Sequence, residues 1–172
     1  MYRLYLFATQ KLEASVVAER LGNQFEVNQA CYGETLGEIN EIEAADAFVL
    51  YLDQNEADCL EYCEALHQHA GCEHVPIIIV SQVRPDTDQR LAAYQRGCTE
   101  WVSLDYGDDV IVTRINKEIF HKIADGQLRT NLDMANQMAF QAMSDTSDLG
   151  ITVQFLLESG TAQNVDALGQ QF

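Results

Sequence analysis

The sequence is poor in positive charge. Ten Lys and Arg stand against 27 Asp and Glu, giving a net charge of -17. That balance argues against nucleic acid as a direct partner, because phosphate contacts need a basic face. It argues equally against docking on anionic lipid. Long apolar runs are missing too: none approaches the roughly 20 residues a membrane span needs. The N-terminal MYRLYLFATQ has too short an apolar run, and no small-residue cleavage site, for a secretory signal. There is no glycine-rich phosphate loop, internal repeat or low-complexity tract. The cysteines are odd in number, five, and read as reduced thiols of a cytoplasmic protein.

What is present fits one well-packed domain with an appendage. The 172 residues are too few for two full-sized domains. Apolar residues make up 47% and charged residues 22%, ordinary for a globular chain. RLYLFA (3–8) predicts a buried strand. A helix follows through Leu12, Val16, Val17 and Leu21, with Gly22 past its end. FEVNQA (25–30) alternates like a more exposed strand. Leu36, Ile39 and Ile42 predict a short second helix. AFVLYL (47–52) predicts a strand covered on both faces and ending at Asp53. A third helix is predicted over 57–69 and a strand over VPIIIVS (75–81). Pro85 and Asp86 open a fourth helix, which Gly97 closes. WVSL (101–104) is a short strand, and Asp108 and Asp109 start a fifth helix through Ile111, Ile115 and Ile119.

Five strands alternating with five helices predict a parallel sheet with right-handed crossovers. Such sheets place their site at the carboxyl ends of the strands. Here those ends are Ala8–Thr9–Gln10, Asp53, Ser81–Gln82 and Leu104–Asp105.

VLYLD (49–53), VPIIIVS (75–81) and GCTEWVSL (97–104) resemble, in order and spacing, three segments of the receiver domain of bacterial response regulators. The resemblance covers about 1–124. It implies a flavodoxin-like (βα)5 doubly wound sheet of strand order 2-1-3-4-5. It makes Asp53 the equivalent of the phosphate-accepting aspartate, and Ser81 and Trp101 the equivalents of the switch residues. The departures bear on function. Receivers hold Mg²⁺ with an acidic pair after the first strand, a hard ion on oxygen ligands. Ala8, Thr9 and Gln10 stand there instead. Receivers also carry a lysine after the fifth strand, followed by proline. Leu104 and Asp105 replace them. Without that proline the peptide between them is expected to be trans. The loop after Asp53 (QNEAD) is short and lacks the usual glycine. Glu56 and Asp58 within it are the residues that could stand in as ligands.

A second constellation is Cys59, Cys63 and His67, one turn apart along one helix face, followed by His69, Cys72 and His74. Thiolate and imidazole could hold zinc, but the spacing matches no Cys-x₂-Cys pattern. The blander reading, and the one preferred, is that the cysteines are core residues and the site carries no metal. EINEIEAAD (38–46) reads as the wet face of the second helix.

After Ile123 the chain turns polar and then helical again. Ile115, Ile119 and Ile123 lead towards Leu128, Leu132, Ala135, Ala139 and Ala142 in what reads as one stripe. Met134, Met138 and Met143 lie beside it. Residues 108–143 are expected to form one long or kinked helix, weakest at Gly126. SDTSDLG (144–150) is expected to break it, ITVQFLLES to fold back as a hairpin, and NVDALGQQF to begin a third piece of a longer protein.

The expected organisation is a receiver-like domain over 1–124 and a helical extension over 125–172. The expected function is a non-enzymatic, cytoplasmic signalling module without cofactor. It would work by protein–protein contact with a histidine kinase or downstream protein, and would form a homodimer through residues 108–157. The alternatives are a receiver phosphorylated on Asp53 with Mg²⁺, and a metal or small-ligand binder.

Overall fold

A computed structural model of the chain describes residues 1–32, 42–53 and 56–169. By contact it divides into two compact units, Met1–Ala124 and Asp125–Phe172. The first holds five strands: β1 (Tyr2–Ala8), β2 (Phe25–Cys31), β3 (Ala47–Leu52), β4 (Ile77–Ser81) and β5 (Glu100–Ser103). Among them run α1 (Lys11–Leu21), α2 (Glu56–Gln68), α3 (Thr87–Gln95) and the start of α4 (Asp108–Gly169). The sheet is parallel throughout, in the order β2-β1-β3-β4-β5. The expected helix around Leu36 and Ile39 lies outside the described residues. Ile42–Ala44, at its end, form a single 3-10 turn.

Every residue of β3 and β4 is buried. A strand alternates its side chains between two faces, so an unbroken apolar run demands cover on both. One face carries Tyr5, Phe7, Phe48, Leu50, Ile77 and Ile79 against α2 and α3. The other carries Leu4, Leu6, Val49, Tyr51, Ile78 and Val80 against α1 and α4. The α4 contribution is Ile111, Val112, Ile115 and Ile119, all buried.

That burial corrects the single apolar stripe. Ile115 and Ile119 are core residues of the first unit. The five-residue step from Ile123 to Leu128 breaks the three-and-four rhythm of a helix face. Two separate apolar runs therefore share α4. The expected break at SDTSDLG and the hairpin after it are absent as well: α4 continues through 144–150 and through ITVQFLLES to Gly169, and Gly126 does not interrupt it. Thr130 and Thr146 bond back to the carbonyls of Gly126 and Ala142, at 3.0 and 2.7 Å. This local pairing lets a hydroxyl sit inside a helix.

Local chemistry sets the other boundaries. Asp86 caps α3, accepting the Gln89 amide hydrogen bond at 2.8 Å, while the Gln89 side chain accepts from the Asp86 amide at 3.0 Å. This is a capping box. Pro85 accordingly precedes the cap instead of occupying the first turn. Gly97 follows α3 with φ +95, and a β-carbon there would lie 2.5 Å from His67 Cγ, so both conformation and space call for glycine. No described peptide is cis, the Leu104–Asp105 bond included.

The two apolar runs of α4 differ in what they hold. Ile119→Ala should lower the unfolding free energy by about 2–5 kcal/mol, as buried branched residues do. Val110→Ala, at a 41% exposed site, should stay within about 0.5 kcal/mol. Urea titration distinguishes these; equal, small effects would place Ile119 outside the core.

Candidate functional site

The carboxyl ends of β3, β4 and β5 enclose a cavity of about 200 Å³ lined by Asp53, Glu56, Ser81, Arg84, Gln89 and Trp101, among others. Asp53 follows β3 and is half-buried. Ser81 ends β4 and is buried, one of few buried polar side chains. Its hydroxyl donates to the Val83 carbonyl at 2.6 Å and accepts from Trp101 Nε1 at 2.8 Å. Trp101 itself is 1% exposed on β5. The structure thus brings together Asp53, Ser81 and Trp101, with the serine hydroxyl already committed on both sides.

The remaining expected crevice residues turn elsewhere. Ala8 is buried at the end of β1. Gln10 is the N-cap of α1 and makes no side-chain cap bond. Thr9 lines a different cleft of about 400 Å³, with Tyr32, Asp58, Glu61 and Tyr62. The Leu104 amide bonds the Ser81 carbonyl at 2.8 Å, and its side chain packs on the α1–α4 core. The Asp105 carboxylate lies 3.8 Å from the Arg84 guanidinium, both well exposed, a pairing that contributes little.

Arg84 carried no signal in the sequence. The turn after β4 puts it on the wall of the Asp53 cavity, and its guanidinium sits 4.9 Å from the centre of the Tyr106 ring. The nearest available hint is that a cation follows Ser81 by three residues in a chain with few cations. Arg20 is a second such residue. It pairs with Asp108 and reaches the Leu104 and Tyr106 carbonyls at 3.5 Å, holding the loop after β5.

The donor set does not fit Mg²⁺. Octahedral oxygen coordination needs several convergent carboxylates or waters on them. The end of β1 supplies none, Glu56 accepts the Gln89 amide at 2.8 Å, and a guanidinium lines the same cavity. Of the two stand-in ligands, Asp58 lies in the other cleft.

Zinc at the Cys/His group fares no better. Cys59, Cys63 and Cys72 are buried in the α2–α3 core. The His67 ring packs against Gly97, and the near pair is Cys72 with His69, at 3.7 Å. Among the described residues no three His, Cys, Asp or Glu converge on a metal position. Burial pushes the Cys59 thiol up to about 11 and the Cys98 thiol to about 12. Burial also raises Cys63. Thiols so shifted are neutral at physiological pH, and the thiolate is the metal ligand.

No protein-family profile and no curated protein matches the chain. Solved structures do. A CheY-like response regulator receiver domain protein from Methanospirillum hungatei is 15% identical at TM-score 0.58, covering 73% of this chain and 98% of that one. The chemotaxis protein CheY4 of Vibrio cholerae is 16% identical at TM-score 0.56, covering 68% and 98%. The signal receiver domain of a histidine kinase from Syntrophus aciditrophicus is 11% identical at TM-score 0.57, covering 70% and 92%. The first unit therefore has the flavodoxin-like fold of response regulator receiver domains.

Removing the Ser81 hydroxyl would leave the Trp101 indole N–H buried without an acceptor. Ser81→Ala should cost about 1–3 kcal/mol. Unfolding followed by the emission of Trp101, the single tryptophan, measures it directly. A neutral substitution would mean that this hydrogen bond does not hold the ring.

Proposed function

We propose that the chain is a signal-transduction module of the cytoplasm, a receiver-like domain that acts by protein–protein contact instead of accepting a phosphoryl group. The observation that carries this reading is the pair of strand ends facing Asp53. β1 ends on Ala8 and Thr9 without a carboxylate, and Leu104 packs into the core where receivers carry a lysine. Phosphoryl transfer depends on positioning and on electrostatic stabilisation by metal and cation. An aspartate without them is a poor acceptor. The same lack of catalytic groups supports a non-enzymatic role. Site residues, not fold, decide activity.

The module's partners would be a second copy of itself, a histidine kinase or a downstream signalling protein. The expected homodimer contact over 108–157 needs trimming, because Ile111, Ile115 and Ile119 are occupied in the core. The exposed Leu128, Leu132, Met134, Met138 and Met143 are the apolar residues left for a partner.

One observation favours a phosphorylatable receiver. Arg84 lines the Asp53 cavity and could neutralise phosphoryl oxygens in place of the missing lysine. Acetyl phosphate with Mg²⁺, followed by intact mass, separates the two readings. The expected result is no phosphoryl adduct. An adduct that disappears in Asp53→Asn would overturn the proposal, and its loss in Arg84→Ala as well would identify the substitute cation.

A further inference from the structure

Within the second unit, apolar and small residues recur at 128, 132, 135, 139, 142, 146, 149, 153 and 156. The steps alternate four, three, four, three without exception. Their mean is 3.5 residues, not the 3.6 of a straight helix. A row at 3.5 drifts around a straight helix by about 20° per heptad. Only another helix, supercoiling with it, can follow that row over its whole length. The covering element is therefore a helix.

We propose that residues 128–156 form a parallel, two-stranded coiled coil with the same residues of a second copy of this chain, with Ala135, Ala139 and Ala142 at the centre of its seam. This deepens the self-association proposed above and rests on it.

The identity of the partner follows from the flanks. The positions beside the seam are Arg129, Asn131, Asn136, Met138, Met143, Asp145 and Gly150. Two of these are charged, so they offer nothing to select a partner of opposite charge, as heterologous pairs do. In a parallel pair each flanking residue meets the one five further along in the other copy. That matches Asn131 with Asn136, Met138 with Met143, and Asp145 with Gly150. No like charges face each other, despite the net charge of -17 of the chain.

Packing supports two parallel strands. Thr146 and Val153 occupy the first heptad position and Leu149 and Leu156 the fourth, a combination of β-branched and Leu residues that favours parallel dimers. The three alanines, all exposed on the single chain, let the helices approach closely. Met138 and Met143, 73% and 74% exposed, can then close over the narrow seam with their flexible side chains. Thr146 is the polar residue in the row. Its hydroxyl already donates to the Ala142 carbonyl at 2.7 Å, so burying it strands no donor.

The test uses the full chain in light scattering at tens of micromolar, without phosphoryl donor. Wild type should have the mass of a dimer. Ala139→Glu puts a charge in the seam on a good helix former and should weaken the dimer by about a hundredfold or more. Phe140→Glu, one residue away and 77% exposed but off the seam, should leave the mass unchanged. Thr146→Cys, on mild oxidation, should give a covalent dimer absent from oxidised wild type. A monomeric wild type, a tetramer, or dissociation by Phe140→Glu but not by Ala139→Glu would each overturn the coil. A dimer in which Thr146→Cys fails to cross-link would overturn the parallel arrangement. None of these outcomes depends on whether Asp53 accepts phosphate.

Discussion

The first unit is governed by the double-sided burial of its central strands. With every side chain of β3 and β4 buried, neither face of the sheet can host chemistry. Helices must cover both, and polar groups are displaced to the strand ends. Ser81 and Ser103, the buried polar side chains among the described residues, stand at the last positions of β4 and β5, where a hydroxyl can still find a carbonyl. Ser81 reaches Val83 and Ser103 reaches the Gln82 carbonyl, at 2.6 and 3.3 Å. The crevice at Asp53 is thus a by-product of the same constraint that makes the core. It persists whether or not the groups around it do chemistry, which is how a fold can outlast an activity.

How much of this was legible depends on the range of the interaction. The runs AFVLYL and VPIIIVS announce fully covered strands because burial writes itself into consecutive residues. Capping residues announce the start of α3 because Asp86 and Gln89 act within one turn. The continuity of α4 was not legible. Ser144, Asp145, Thr146 and Ser147 are capping residue types, yet inside a helix each costs only a fraction of a kcal/mol relative to alanine. A run of them permits a break without compelling one. The apparent stripe from Ile115 to Ala142 misled for a related reason, since a single step of five is easy to overlook among steps of three and four. Arg84 was illegible because its place depends on a turn and on the Tyr106 ring, which lies well apart in sequence.

Electrostatics in this chain is local. Ion pairs such as Arg84–Asp105 and Arg3–Glu26, both at 3.8 Å and open to solvent on at least one side, contribute little. The pairings with structural consequence are those that also satisfy backbone groups. Arg20 reaches two carbonyls of the loop after β5 while pairing with Asp108. Lys122 donates to the Ala45 carbonyl at 2.8 Å, and burial lowers its pKa.

The contact between His67 and Gly97 has a consequence for sequence drift. Two separate demands meet at position 97: φ is +95, and a β-carbon would collide with the imidazole at 2.5 Å. The first is a property of the turn and the second of the neighbour. Shrinking residue 67 would relieve the collision and leave the backbone demand intact. Position 67 is therefore free to wander among side chains that clear the turn, while position 97 is held twice over. Of the two residues in contact, the one with no side chain is the less replaceable.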